Sequence, residues 1–117
     1  MPPTSAQRRR EAIAAMNDAF RRSFGLTREV RGRVVMTHGV ATLPAEVRAR
    51  VLHTLARFEA FTPDNDPYGE HDFAAFTLDG TRFNFKIDYY ESDEMEFGAE
   101  DPLVAYRVLT LMLAEEY

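Results

Sequence analysis

Residues 58–73, FEAFTPDNDPYGEHDF, gather Asp64, Asn65, Asp66, Glu70, His71 and Asp72 into nine positions, with two prolines and a glycine among their neighbours. A histidine oriented by a carboxylate is a general acid/base pair. A histidine with two carboxylates is an adequate ligand set for zinc or iron. Glu70, His71 and Asp72 are consecutive, however, so an extended chain points them to different sides. Convergence needs a partner from elsewhere: Asp88, which a hairpin register places opposite His71, or His38 at the end of the first strand. A hydrolase or metal protein would therefore centre on His71 and Asp88, with Glu70 and Asp72 beside them. No serine lies close in sequence, Tyr68 is a poor nucleophile, and no glycine-rich oxyanion or phosphate loop completes the set. No bound metal and no cofactor are expected.

Two other chemistries fail, one on spacing and one for want of a cofactor loop. DNDPYGE has Asp64, Asp66 and a sixth-position Gly69, as in a calcium loop. Tyr68 stands where a third oxygen ligand belongs, and Ala75 where the bidentate glutamate belongs. The NDPY of residues 65–68 is similar to a methyltransferase motif, but the chain has no glycine-rich cofactor loop. The structural account is simpler. Asp and Asn side chains bond turn backbone, and Pro67 and Gly69 set dihedrals, making Asp64, Asn65, Asp66 and Tyr68 an ordered polar loop.

The elements around this loop follow from periodicity. Ile13, Met16, Phe20 and Phe24 recur at helical spacing, predicting a first helix over residues 5–24, capped by Thr4 or Ser5 and placed at the periphery. RVVMT predicts a strand over residues 33–37. LPAEV opens a second helix with Val47, Val51, Leu55 and Phe58 as its buried stripe. FAAFTL-DG-TRFNFKIDYY is a β-hairpin whose Asp79-Gly80 turn pairs Leu78 with Thr81, Phe76 with Phe83 and Ala74 with Phe85. Phe83, Phe85, Ile87 and Tyr89 then meet the helices, and Arg82, Asn84, Lys86, Asp88 and Tyr90 face out. Asp101-Pro102 begins a last helix, apolar around most of its circumference and so central to the core. The fold class is α+β: a two-layer single domain over residues 1–117, order α-β-α-β-β-α. Its three-stranded, mainly antiparallel sheet is covered by helices on one face.

Charge is divided unevenly. Residues 1–60 hold 11 arginines against five acidic side chains, and the rest holds 14 acidic side chains against two arginines and one lysine, for a net charge of −5. The arginines of residues 8–10, 21, 22, 28, 31 and 33 form a candidate phosphate-binding patch. In an acidic chain nearly without lysine they are expected to be solvated or paired with the acidic half, so no direct nucleic-acid contact is expected. Asp88, Glu91, Asp93, Glu94, Glu96, Glu100 and Asp101 make a negative strip enclosing Met95 and Phe97, candidate anchors for a basic protein partner. There is no cysteine, which excludes disulfides, thiolate metal sites and a cysteine nucleophile. No apolar run reads as a signal peptide or a membrane span, so a cytoplasmic protein with no membrane contact is expected.

Four segments carry a resemblance: GVATLP at residues 39–44, PDNDPYGEHDF at 63–73, KIDYY at 86–90 and RVLTLMLAEEY at 107–117. Over roughly residues 30–117 the chain resembles a bacterial family of small proteins, domain of unknown function 3768. Ala74 stands where the family has glycine, and Glu91 where it has aspartate. The resemblance implies a bacterial, intracellular protein, often carried among mobile-element genes, and implies no activity.

Together these point to a small non-enzymatic module that binds another macromolecule. The contact would use Glu91, Asp93, Glu94, Met95, Glu96 and Phe97 with the open sheet face around Arg82, Lys86 and Tyr90. Its most concrete form is an antidefence inhibitor, such as an anti-CRISPR or antirestriction protein. The alternatives are the His71–Asp88 hydrolase or metal protein, and a structural homodimer through the outer sheet face.

Overall fold

A computed structural model describes residues 1–117. Helix α1 (Ser5–Arg22) opens on a capping box: the Thr4 hydroxyl accepts from the Gln7 N–H at 3.1 Å, and the Gln7 side chain accepts from the Thr4 N–H at 2.7 Å. It ends two residues before the expected Phe24, because Phe24 and Gly25 both adopt positive φ. It is not peripheral: Ile13, Ala14, Asn17, Phe20 and Arg21 are all buried.

Strand β1 (Gly32–Met36) follows. The expected second helix is α3 (Ala45–Arg57), which begins directly after Pro44; ahead of it the chain makes a single turn that was not expected, α2 (His38–Ala41), and Pro44 lacks the N–H that would join the two. Val51 and Leu55 are buried, and Val47 and Phe58 pack beside them. Strands β2 (Phe73–Leu78) and β3 (Thr81–Tyr90) form the hairpin in the expected register. Asp79 and Gly80 both take positive φ, as a tight primed turn requires.

The last helix is not a helix. After a short 3-10 turn at Pro102–Val104, where the Asp101 side chain accepts from the Leu103 N–H at 3.0 Å, the chain runs as strand β4 (Tyr106–Leu113). An apolar run of this length is equally consistent with a buried helix or with a strand buried on both faces. Tertiary pairing decides: β4 lies between β1, parallel to it, and β3, antiparallel to it. The sheet is therefore four-stranded and mixed, in the order β1-β4-β3-β2, rather than three-stranded. Leu109 and Leu111 point into the core, and Val108 and Met112 on the other face are buried as well.

The helices cover one face. Phe20, Val40, Val51 and Leu55 meet Phe83, Phe85, Ile87, Leu109 and Leu111 in one cluster. β1 comes so close to its neighbours that a Cβ at Gly32 would lie 2.2 Å from the Arg107 carbonyl oxygen and 2.6 Å from the Phe20 ring. Gly32→Ala is expected to cost about 3 kcal/mol or more in urea unfolding, by overpacking. At the open Gly80 turn, alanine should cost only about 1 kcal/mol, from the left-handed backbone alone. Equal costs would contradict this packing.

Candidate functional site

Tertiary structure takes His71 away from Asp88. His71 adopts φ +58°, which breaks the hairpin geometry one residue before Asp72, whose carbonyl still accepts from the Ile87 N–H at 2.8 Å. The imidazole swings toward α1, and its Nδ1 lies 2.9 and 3.0 Å from the two carboxylate oxygens of Asp18. Its Nε2 stands 3.6 Å from Asp66 Oδ2. One face of the ring stacks on Phe61, centroids 3.9 Å apart and planes 3° from parallel. Asp88 instead pairs with Lys86 at 2.9 Å. No group of three or more histidine or acidic side chains converges at metal-binding spacing.

The loop of residues 58–72 braces itself. Asn65 Oδ1 accepts from the Thr62 N–H at 2.8 Å, and Asn65 Nδ2 donates to the Ala60 carbonyl at 2.9 Å. Asp66 is buried and accepts from the His71 N–H at 3.3 Å. Asp64 and Tyr68 are exposed, Tyr68 by 70%, so Phe61 rather than Tyr68 pins the loop. An open cleft of about 390 Å³ lies between this loop and α1, with Gln7, Arg10 and Glu11 on one wall and Thr62, Tyr68 and His71 on the other.

Beneath the loop lies a polar junction that pattern reading missed. Asn17, Arg21 and Arg107 are fully buried. Asn17 Nδ2 donates to the Glu70 carbonyl at 2.9 Å and to the Tyr89 hydroxyl at 2.8 Å, and its Oδ1 accepts from Arg107 Nε at 2.6 Å. Arg107 also sits 5.1 Å from the centroid of the Tyr89 ring. Arg21 donates to the Leu55 and Ala56 carbonyls at the end of α3 and to Asp18 at 2.9 Å, so Asp18 joins Arg21 to His71. Arg21 Nε and Arg107 Nη2 have no partner. Burial lowers both guanidinium pKa values and raises that of the Tyr89 hydroxyl. The one sequence signal was an Asn and an Arg on the apolar stripe of α1, at spacing four from each other.

The acidic strip forms a second surface. The chain turns back on itself after β3, with the Glu91 N–H donating to the Phe97 carbonyl at 2.9 Å and the Ala99 N–H to the Tyr89 carbonyl at 3.0 Å. This closed loop leaves Phe97 66% exposed and Met95 half-exposed. Asp101 pairs with Arg9 at 2.8 Å, whereas Glu91, Asp93, Glu94, Glu96 and Glu100 have no ion-pair partner. The two halves of the chain therefore do not neutralise each other by direct pairing. Only Arg9–Asp101 and Arg50–Asp79 join an arginine of the first half to a carboxylate of the second. On the outer sheet face Arg82 is exposed, and Lys86 and Tyr90 are half-buried. Asn84, expected to face solvent there, is buried.

The family model described as protein of unknown function (DUF3768) matches residues 36–116. The chain belongs to this family. The matched segment holds the braced loop, the hairpin, the acidic strip and β4, whereas Asn17, Asp18 and Arg21 on α1 lie outside it. No curated protein and no solved structure matches the chain. No helix is long and apolar enough to cross a membrane.

Asn17→Ala should cost about 3 kcal/mol or more in urea unfolding, since it strands Arg107, the Tyr89 hydroxyl and the Glu70 carbonyl together. A loss below about 1 kcal/mol would mean the junction is solvated. Burial, then neighbouring Asp72, raises the Glu70 carboxyl pKa, and burial raises that of Asp72. A raised carboxyl binds more protons folded than unfolded, so it lowers stability above its folded pKa and ceases to do so below its unfolded value. Glu70→Gln is therefore expected to be more stable than the parent at neutral pH. The advantage should vanish as pH falls below the ordinary glutamate value of about 4.3. A constant difference across pH would refute this assignment.

Proposed function

We propose that the protein is a non-enzymatic binding module of the cytoplasm whose acidic ridge, residues 91–100, docks on a basic protein. The observation that supports this is a set of carboxylates with no cation of their own around a solvent-exposed Phe97. An apolar anchor inside a charged rim is the usual anatomy of a protein interface: the anchor supplies affinity, and the rim supplies steering and selection against acidic surfaces. Arg82, Lys86 and Tyr90 extend the contact along the outer sheet face. A sharper form is an antidefence inhibitor that occupies the nucleic-acid groove of a nuclease. It rests on the sign of the ridge's charge, and it requires that DNA or RNA compete with the protein for its target.

One observation favours a second reading, chemistry at His71: the imidazole lines the cleft between α1 and the loop. Asp18 would then take the orienting role expected of Asp88. Both ring nitrogens already face carboxylates, and no hydroxyl nucleophile stands beside them, so docking by the ridge is preferred.

A photo-crosslinking residue in place of Phe97 tests the ridge. In lysate of the source cells it should capture a basic protein. Capture should fail in roughly 0.5 M salt, where screening acts within about 4 Å, and in the fourfold variant Glu91→Lys, Asp93→Lys, Glu94→Lys, Glu96→Lys. A captured set unchanged by charge reversal would rule the ridge out.

A further inference from the structure

β1 is an edge strand, and no strand pairs with its outer side. Its ladder to β4 begins with the Arg107 N–H donating to the Arg31 carbonyl at 2.9 Å. It ends with the Thr37 N–H donating to the Leu111 carbonyl at 3.0 Å. In a parallel pair, alternate residues turn both backbone groups toward the neighbour. Arg33 and Val35 therefore serve β4, whereas Gly32, Val34 and Met36 direct three N–H and three C=O groups off the sheet. None of these six finds a partner in the chain. The usual protections of an edge are missing. β1 has no proline, and its one charged residue, Arg33, is drawn back onto β4: its Nε donates to the Tyr106 hydroxyl at 3.0 Å, and its guanidinium lies 5.7 Å from that ring's centroid. Val35 and Met36 are 37% and 40% exposed.

We infer that β1 pairs antiparallel with β1 of a second copy of this chain, centred on Val34, joining two four-stranded sheets into one. Antiparallel pairing bonds residues whose backbone groups face each other. Centred on Val34, that register sets Val34 against Val34, Gly32 against Met36 and Met36 against Gly32, and every free edge group on both strands is satisfied. A one-residue slip would oppose free groups to groups already bonded within the sheet.

Charge supports the same register. It places Arg31 opposite Thr37 of the second copy. Arg31 is exposed and has no ion pair in its own chain. Thr37 is the residue whose hydroxyl donates to Glu116, a carboxylate that also accepts from the Gly39 N–H at 2.9 Å. Each Arg31 thus meets the Glu116 of the other copy, twice over by symmetry. The opposite edge, β2, turns Phe73, Ala75 and Thr77 outward, but it is less exposed and carries no charge to complement. This surface is separate from the acidic ridge.

Sedimentation across protein concentration, with amide hydrogen exchange, decides the matter. A dimer is expected, with exchange at Gly32, Val34 and Met36 slowing as concentration rises. Val34→Pro should leave a folded monomer, because the N–H it removes is not in the β4 ladder. Ala75→Pro at the other edge should leave the dimer intact. Arg31→Glu should weaken association about tenfold, by turning two attractions into repulsions. That variant decides alone if Val34→Pro does not fold. A monomer at every concentration, or a dimer indifferent to both β1 variants, overturns the pairing. Neither result bears on crosslinking at Phe97.

Discussion

The amide of Asn17 is the contact on which the rest of the molecule depends. It is the only side chain that bonds Arg107, and it also bonds the Tyr89 hydroxyl and the Glu70 carbonyl. Arg107 is a fully buried cation with no carboxylate against it, held by one amide oxygen, the carbonyl of Ala105 just before its strand and the face of Tyr89. Burying a guanidinium this way is expensive, and its cost is met only while α1 stays seated. The register of α1 on the sheet is therefore specified by polar geometry, which tolerates no sliding, as well as by the apolar contacts of Ile13 and Phe20.

Once α1 is seated, the loop before the hairpin has a fixed surface to close on. Arg21 reaches across to the last carbonyls of α3, and Asp18 offers its remaining valence to His71. Phe61 lies in a layered arrangement, with His71 stacked on it and the Arg21 guanidinium 5.6 Å from its centroid. The most reactive-looking histidine in the chain is thus part of the brace, with ring nitrogens already facing carboxylates. The raised pKa values of Glu70 and Asp72 come from the same source: carboxyls drawn partly out of water where the loop closes over the junction.

The interior takes up few of the chain's charges, and most of the rest have no opposite partner. This is what leaves the ridge around Phe97 and the unprotected edge of β1 as the surfaces with something to gain from a second molecule. One is an exposed aromatic ring in a field of like charge, and the other is a row of backbone groups without partners. They differ in kind, so salt and backbone substitution separate them.

Local pattern alone determined a good deal. The Asp79-Gly80 turn with alternating apolar flanks set the hairpin to the residue, because a two-residue turn permits one register. The stripe of Val47, Val51, Leu55 and Phe58 located α3, whereas Asp101-Pro102, read as a helix start, caps only a short 3-10 turn. What the pattern left open was whether RVLTLML is helix or strand, since an apolar run buried all round has the same composition either way. Only pairing with β1 and β3 chose strand, and with it came the fourth strand and the parallel edge. The polar partners were equally beyond the sequence. His71 is 53 residues from Asp18, and Arg107 is 90 from Asn17. A hydrogen bond across that separation depends on where α1 lands, which is settled by packing and has no local signature.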